Sequence, residues 1–223
     1  MSEALTGAQI HAADLPDWRL LVGRLEATFG CPSYAAAGGL AAAVAARADE
    51  FDHHPTIDVR YPGVVHVTTS SHDSRGVTDR DVHLARAVSA LARDHGASSM
   101  PLASMTVEIA IDALDIDAVR PFWAAVCGYQ DEPAAAGEPV CEVRDPRGIG
   151  PTIWFQQMSE PRPQRNRIHL DVVVPHDLAT ERVEAALAAG GQLVSAARAQ
   201  AFWVLADPEG NEACVCTWLD RED

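Results

Sequence analysis

The chain has 223 residues, 48% of them hydrophobic, and carries 32 acidic against 17 basic side chains for a formal net charge of −15. That length fits one large domain or two small ones, and the apolar share is enough for a core. The negative charge repels phosphate backbones and anionic lipid, so neither a nucleic-acid nor a membrane partner is expected.

In chain order, "DWRLLVG" (17–23) and "RLEATFG" (24–30) read as two strands. Ser33 can cap a helix through "YAAAGGLAAAVAARADEF" (34–51), with Leu40, Val44 and Phe51 as its larger apolar groups. Ile57, Val59 and Tyr61 alternate into a Pro62-Gly63 turn, and "VVHVTTSS" follows; this predicts a β-hairpin. Thr78 and Asp81 have capping-box spacing at the start of a second helix that lines up Val82, Ala85, Val88 and Leu91. The order strand, strand, helix, hairpin, helix predicts an α+β fold, an antiparallel sheet with helices on one face. "GASSMPLAS" (96–104) is small, polar and proline-bearing, which predicts a first domain at 1–97, a linker at 98–104 and a second domain at 105–223.

From Met105 to Leu219 the chain repeats itself. "VEIAID" corresponds to "IHLDVV", "CGYQ" to "AGGQ" and "RDPRG" to "ADPEG", at offsets of 61 or 62 residues. Each copy reads strand, helix, strands, and two such halves would close a curved sheet around a cleft.

Composition narrows the chemistry further. No lysine is present, which excludes a Schiff-base lysine and a phosphate-loop lysine, while arginine can still bind a carboxylate. The five cysteines (Cys31, Cys127, Cys141, Cys214, Cys216) are odd in number and lack zinc-finger spacing, so buried reduced thiols are expected, with Cys214 and Cys216 on one strand face. "MSEALTGAQI" is not a signal peptide, and no apolar run is long enough to span a bilayer, so a cytoplasmic location is expected. Between Phe51 and Asp81 lie His53, His54 and His72 among acids. Histidine gives or takes a proton near neutral pH, and three such rings beside carboxylates suggest an acid/base pocket. Zinc is the competing reading, but adjacent His53 and His54 tend to diverge and no further ligand completes a tetrahedron. Asp81 has a second reading as a helix cap alone, and Asp52 as a group that orients a histidine.

"DEFDHHP", Tyr61 and "SSHDSRGVTDRD" together resemble the signature of the pterin-4a-carbinolamine dehydratases. Asp49 matches its opening acid, His53, His54 and Pro55 its central triplet, Tyr61 its aromatic, His72 its third histidine and Asp81 its closing acid. The likeness covers roughly the first 95 residues and includes Trp18 and the "PSYAAA" helix start. The gap from Tyr61 to His72 is one residue longer than the signature, and the Pro62-Gly63 turn is where an insertion costs least. The resemblance implies removal of water from 4a-hydroxytetrahydropterin without metal or cofactor, by a homodimer or homotetramer. It assigns His53 and His72 as the acid/base pair, His54 and Tyr61 to pterin binding, and Asp49, Asp52 and Asp81 to support.

The paired repeat resembles the glyoxalase, or vicinal oxygen chelate, superfamily through "VRPFWAAVCGYQ" and "FWVLADPEGNEACVCTW". Many members hold a divalent metal with one ligand from the first and one from the last strand of each half. Those positions fall here on Glu108 and His169, near Trp154 or Phe155, and on Cys214, with Glu212 nearby and set on the other strand phase. An aromatic cannot ligate, so the set is incomplete and the resemblance implies a metal-free cleft that binds a small molecule, with Glu108, His169, Arg144 and Cys214 as candidate contacts. His169 has a second reading as a histidine bonded within the sheet. Trp123, Trp154, Phe155, Phe202 and Trp203 read as core. Two functions compete with a dehydratase fused to such a module: a metal-dependent lyase, isomerase or dioxygenase centred on the second half, and a non-catalytic pterin-binding or dimerisation protein.

Overall fold

The computed structural model describes residues 3–133, 139–161 and 168–220. The chain divides into two compact units, Met1–Thr106 and Val107–Asp223.

The first unit contains α1 (Gly7–Ala12), β1 (Trp18–Leu21), β2 (Arg24–Gly30), α2 (Tyr34–Phe51), β3 (Thr56–Arg60), β4 (Val64–Thr69) and α3 (Asp79–Asp94). Its antiparallel sheet runs β1-β2-β4-β3. Both long helices begin where their caps predict: Ser33 Oγ accepts from Ala36 N at 3.1 Å, and Thr78 with Asp81 forms a reciprocal capping box. The chain reverses through Tyr61–Gly63, and β3 pairs with β4 without interruption from Arg60↔Val64 to Thr56↔Thr68. A Cβ on Gly63 would lie 2.9 Å from the carbonyl carbon of Ser33, so only glycine lets this turn seat against the start of α2.

Strand alternation sorts the sheet into two faces. Leu25, Ala27, Phe29, Val65 and Val67 are buried with Leu40 and Val44 of α2 and Leu84 and Val88 of α3. Full burial of each large apolar side chain contributes roughly 1.5–3 kcal/mol. The alternate residues Glu26, Thr28, His66 and Thr68 share the other face. Of the helix's larger apolar groups, Leu40 and Val44 are buried, whereas Phe51 ends α2 at the surface with its ring edge-on to His83. The segment expected to be a linker also differs: β5 (Ser98–Ser99) pairs with Phe29 and Gly30 of β2, and Met100 N donates to Thr28 O at 2.8 Å. Small polar residues leave its backbone free to complete a sheet edge, which composition does not reveal.

The second unit contains β6 (Glu108–Ala113), α4 (Ile116–Cys127), β7 (Gln130–Asp131), β8 (Glu142–Arg144) and β9 (Thr152–Gln157), then β10 (Leu170–Val173), α5 (Ala179–Ala188), β11 (Gln192–Arg198), β12 (Phe202–Ala206) and β13 (Glu212–Cys216). The sheets run β6-β9-β8-β7 and β10-β13-β12-β11, and in each the first and last strands of the half pair in parallel. The repeat is therefore a doubled βαβββ unit. Its repeated Asp-Pro-x-Gly turns use their aspartates alike. Asp145 accepts from Arg147 N and Gly150 N, and Asp207 from Glu209 N and Asn211 N, all at 2.9 Å. Both halves share one core that includes Phe122, Trp123, Ile153, Phe155, Leu205 and Val215. Trp123 and Phe155 are core as expected, whereas Trp154, Phe202 and Trp203 are only half-buried. All five cysteines are free; Cys214 and Cys216 are buried, but Cys141 is exposed and Cys31 and Cys127 are half-buried. Among the described residues no helix is long and apolar enough to cross a membrane.

Candidate functional site

A buried polar hub joins three elements of the first unit. The chain leaves α2 through Asp52, whose left-handed backbone (φ 48°) ends the helix, and His53 follows directly. His53 is 7% exposed and Asp81, in the first turn of α3, is fully buried. His53 Nε2 lies 2.7 Å from Asp81 Oδ1. The same oxygen accepts from Thr69 Oγ1 at 2.7 Å, while Oδ2 accepts from Ser71 Oγ at 2.7 Å and Thr78 N at 2.8 Å. Asp81 is thus both the cap and the histidine partner.

Burial alone would push the Asp81 carboxyl up. The hydrogen bonds from Thr69, His53, the Thr78 backbone and Ser71 outweigh it and hold the group below its ordinary value. An ionised carboxylate accepts only, so His53 Nε2 carries the proton and donates. That leaves Nδ1 of the neutral ring as the basic nitrogen. Among the described residues Nδ1 has no hydrogen-bond partner.

The other expected residues lie at the surface, and Tyr61, expected to contact the pterin, is in the hairpin turn at the opposite end of β3 and β4 from His53 and Thr69. His54 is exposed, with Nε2 3.0 Å from Asp49 Oδ1, also exposed. His72 is exposed in the turn between Ser71 and Gly76, whose backbones bridge, and among the described residues its ring has no hydrogen-bond partner. Asp52 is exposed, and Tyr61 is 88% exposed in the hairpin turn. No hydrogen bond joins the three imidazoles among the described residues. What connects them is the chain: His54 follows His53, His72 follows Ser71, and Asp81 bonds both His53 and Ser71, with consecutive Cα atoms about 3.8 Å apart.

Thr69 and Ser71 were not foreseen as site residues; hydroxyls near the end of a strand read as β-formers. His66 was also missed. On the opposite sheet face its Nδ1 lies 2.9 Å from Thr28 Oγ1 and its Nε2 3.8 Å from Glu26 Oε2. Its place in the alternation Val65, His66, Val67 was the available signal.

In the second unit a cleft of about 890 Å³ is lined by Ile109, Asp112, Trp123, His169, Glu209 and Asn211, among others. Of the four expected contacts only His169 lines it. Arg144 is held by Glu142 at 3.0 Å and Glu132 at 3.6 Å, consistent with its pairing partners on β8 and the adjoining loop. Glu108 opens β6 opposite Thr152, and Cys214 is buried in β13. Glu212, expected on the other strand phase, stands two residues before Cys214 and so shares its face. Burial first, then the negative charge of Asp171 and Cys216, pushes the Cys214 thiol up to about 11. The metal-ligand positions of a glyoxalase-like fold do not fit as a set spanning both halves: in the first half Trp154 supplies no donor and Glu108 stands apart from the group formed by His169, Asp171 and Cys214.

An antiparallel sheet backed by two helices around a buried histidine–carboxylate pair, followed by a doubled βαβββ unit, defines a two-domain α+β protein. The family described as pterin 4 alpha carbinolamine dehydratase matches residues 3–91, and the glyoxalase-like domain family matches residues 108–216. Two curated relatives are each named "Putative pterin-4-alpha-carbinolamine dehydratase". That of Nocardia farcinica is 40% identical over 94 residues, covering 41% of this chain and 98% of its own. That of Rhodopseudomonas palustris is 41% identical over 96 residues, covering 41% and 94%. Among solved structures, a transcriptional coactivator/pterin dehydratase from Brucella melitensis is 29% identical across 40% of this chain and 99% of its own, with a TM-score of 0.39. A glyoxalase/bleomycin resistance protein/dioxygenase family enzyme from Burkholderia phytofirmans is 21% identical across 49% and 95%, also with a TM-score of 0.39. The chain belongs, through its first unit, to the pterin 4 alpha carbinolamine dehydratase family; its second unit is a glyoxalase-like domain.

Proposed function

We propose that the first unit is a hydro-lyase that converts 4a-hydroxytetrahydropterin to quinonoid dihydropterin and water. The observation that carries this reading is the 2.7 Å contact between His53 and Asp81, residues 28 apart in the chain and both within the segment that matches the family. Loss of water from the substrate breaks the bond between C4a and its hydroxyl oxygen, which leaves with the bonding pair. The electrons of the N5–H bond become the new C4a=N5 double bond as that proton departs. One group must take the N5 proton and another must protonate the leaving oxygen, so the balance needs a base and an acid and no redox partner.

His53, oriented by Asp81 with Nδ1 as its lone-pair nitrogen, suits the base. His72 and His54, exposed beside the hub, suit the acid and a substrate contact, with Asp49 steadying His54; Tyr61, in the hairpin turn at the other end of β3 and β4, has no part in it. Asp81 acts as a positioning residue, because it touches His53 and not the pterin.

A direct dehydration assay on the purified chain tests the proposal. His53→Ala and His72→Ala should each lower the rate on the order of 10²-fold or more, the usual scale for one acid/base group. Wild-type rates in both variants would remove the assignment.

A further inference from the structure

The carboxylate that orients His53 also reaches the segment that carries His72. Thr69 ends β4 and Ser71 follows shortly after; their hydroxyls donate to Asp81, one to each carboxylate oxygen, both at 2.7 Å. Ser71 is 1% exposed. Beyond it the chain turns out to the surface and back. Ser71 N donates to Gly76 O at 2.8 Å, Ser74 N to Ser71 O at 3.1 Å and Arg75 N to His72 O at 3.4 Å. His72 projects from this turn, and among the described residues its ring has no hydrogen-bond partner, so the backbone of the turn sets where the imidazole stands.

Side chains tie the turn to the start of α3. The Ser71 hydroxyl, besides donating to Asp81, lies 2.7 Å from the Thr78 hydroxyl. Asp73 pairs with Arg80, but their side chains are 44% and 39% exposed. Such a pair contributes little, because water screens it and ordering two side chains costs entropy. A hydrogen bond to a buried, ionised carboxylate is roughly twice as strong as a neutral one, so the Ser71 tie dominates. Asp81 does not depend on Ser71 for its own charge: Oδ2 also accepts from Thr78 N at 2.8 Å and from Thr78 Oγ1 at 3.2 Å. What Ser71 adds is the link to the turn.

We infer that Ser71 is a positioning residue for His72: it fastens the turn to the carboxylate that orients His53, so that one aspartate sets acid and base against each other. The roles of the two imidazoles are those of the proposed dehydration, on which this assignment rests. The leaving hydroxyl on C4a and the proton on N5 belong to neighbouring atoms, so the two imidazoles must keep a fixed separation to serve both at once. His53 is fixed by its own bond to Asp81 Oδ1. His72 has no such bond, and its distance from His53 is only as well defined as the turn. Thr69 has the complementary part. It donates to the oxygen that His53 contacts and lies 3.3 Å from His53 Nε2, so it serves the base.

The test pairs dehydration kinetics with amide hydrogen exchange, both on the full chain. Ser71→Ala should lower kcat on the order of tenfold, the factor that one lost hydrogen bond represents, and leave KM unchanged because His54 is untouched. In a His72→Ala background the same change should cost nothing further. Thr69→Val should behave in reverse, adding its loss to that of His72→Ala and costing nothing further in His53→Ala. Asp73→Ala should leave kcat near the wild-type value. Exchange is read without substrate: the amide at position 71, bonded to Gly76 O, should exchange on the order of tenfold faster in Ser71→Ala and at the wild-type rate in Thr69→Val. Equal losses from Ser71→Ala with and without His72, a loss in Asp73→Ala as large as that in Ser71→Ala, or unchanged exchange at position 71 would each overturn the assignment. A wild-type chain that does not dehydrate the pterin would remove the dehydratase instead, and exchange alone would then decide whether Ser71 fixes the turn.

Discussion

Replacing Asp81 with asparagine tests the hub most directly, because the change keeps the shape and removes the charge. In the native chain one carboxylate oxygen accepts from His53 and Thr69, and the other from Ser71 and the Thr78 backbone. An amide has one accepting oxygen and one donating nitrogen. The hydroxyls of Thr69 and Ser71 can turn to suit it, but the Thr78 N–H cannot. The amide oxygen must then face Thr78, and its NH₂ faces His53. The ring can answer only by moving its proton to Nδ1, the nitrogen proposed as the base. Loss of bonds to an ionised acceptor, each worth roughly 1.5–3 kcal/mol, sets a destabilisation of about 2–3 kcal/mol once the hydroxyls have readjusted. The rate should fall on the order of 10²-fold or more, because the basic nitrogen is lost with the tautomer.

Stability can be followed by denaturant titration of the indole signal of Trp18, the one tryptophan of the first unit, whose Nε1 donates to Ala85 O at 3.1 Å. Acid titration adds an independent readout. The Asp81 value is lowered on folding, so its contribution is complete above the unfolded carboxyl's value of about 3.9 and is lost as pH falls through the lower folded value. Wild type should therefore lose first-unit stability below about pH 4 more steeply than Asp81→Asn. An unchanged midpoint together with an equally steep acid dependence would refute the account of the hub.

Two further substitutions probe the second unit. In Gly191→Ala the new Cβ would lie 2.5 Å from Phe122 Cδ2 and 2.7 Å from Ala186 O, so denaturant unfolding should show a loss of about 1–3 kcal/mol or more from overpacking. In Asp207→Ala, Trp123 Nε1 loses an acceptor at 3.0 Å and the backbone N–H groups of Glu209 and Asn211 lose theirs. Leaving the buried Trp123 donor unpaired costs about 1–3 kcal/mol, so unfolding should come at least that much earlier and the Trp123 indole resonance should shift. Wild-type stability in either variant would refute the corresponding packing or turn argument.

Much of the candidate site was legible as residue types at fixed gaps. His53, His54, His72, Asp49 and Asp81 all stand out in the linear chain, and the Thr78–Asp81 spacing marks a cap. The inequality of the three histidines was not legible. Whether an imidazole faces the core depends on where α2 stops, and Asp52 ends it in a left-handed turn that directs His53 inward and leaves His54 outside. Arg144 shows the same limit in the second unit: an arginine offered to a ligand and one held by Glu142 and Glu132 look alike in sequence.

Local chemistry is short-ranged, and the linear chain determined what short range controls: where α2 and α3 begin, the hairpin, the alternation of strand faces and the doubled unit of the second half. Only the tertiary structure decided the contacts that cross many residues. It bonded Asp81 to His53, Thr69 and Ser71, paired Ser98–Ser99 with β2, and set Asp171 beside Cys214. Such pairings depend on how whole strands and helices stack, and the energy that selects them is shared over the core, so no single residue pair announces its partner.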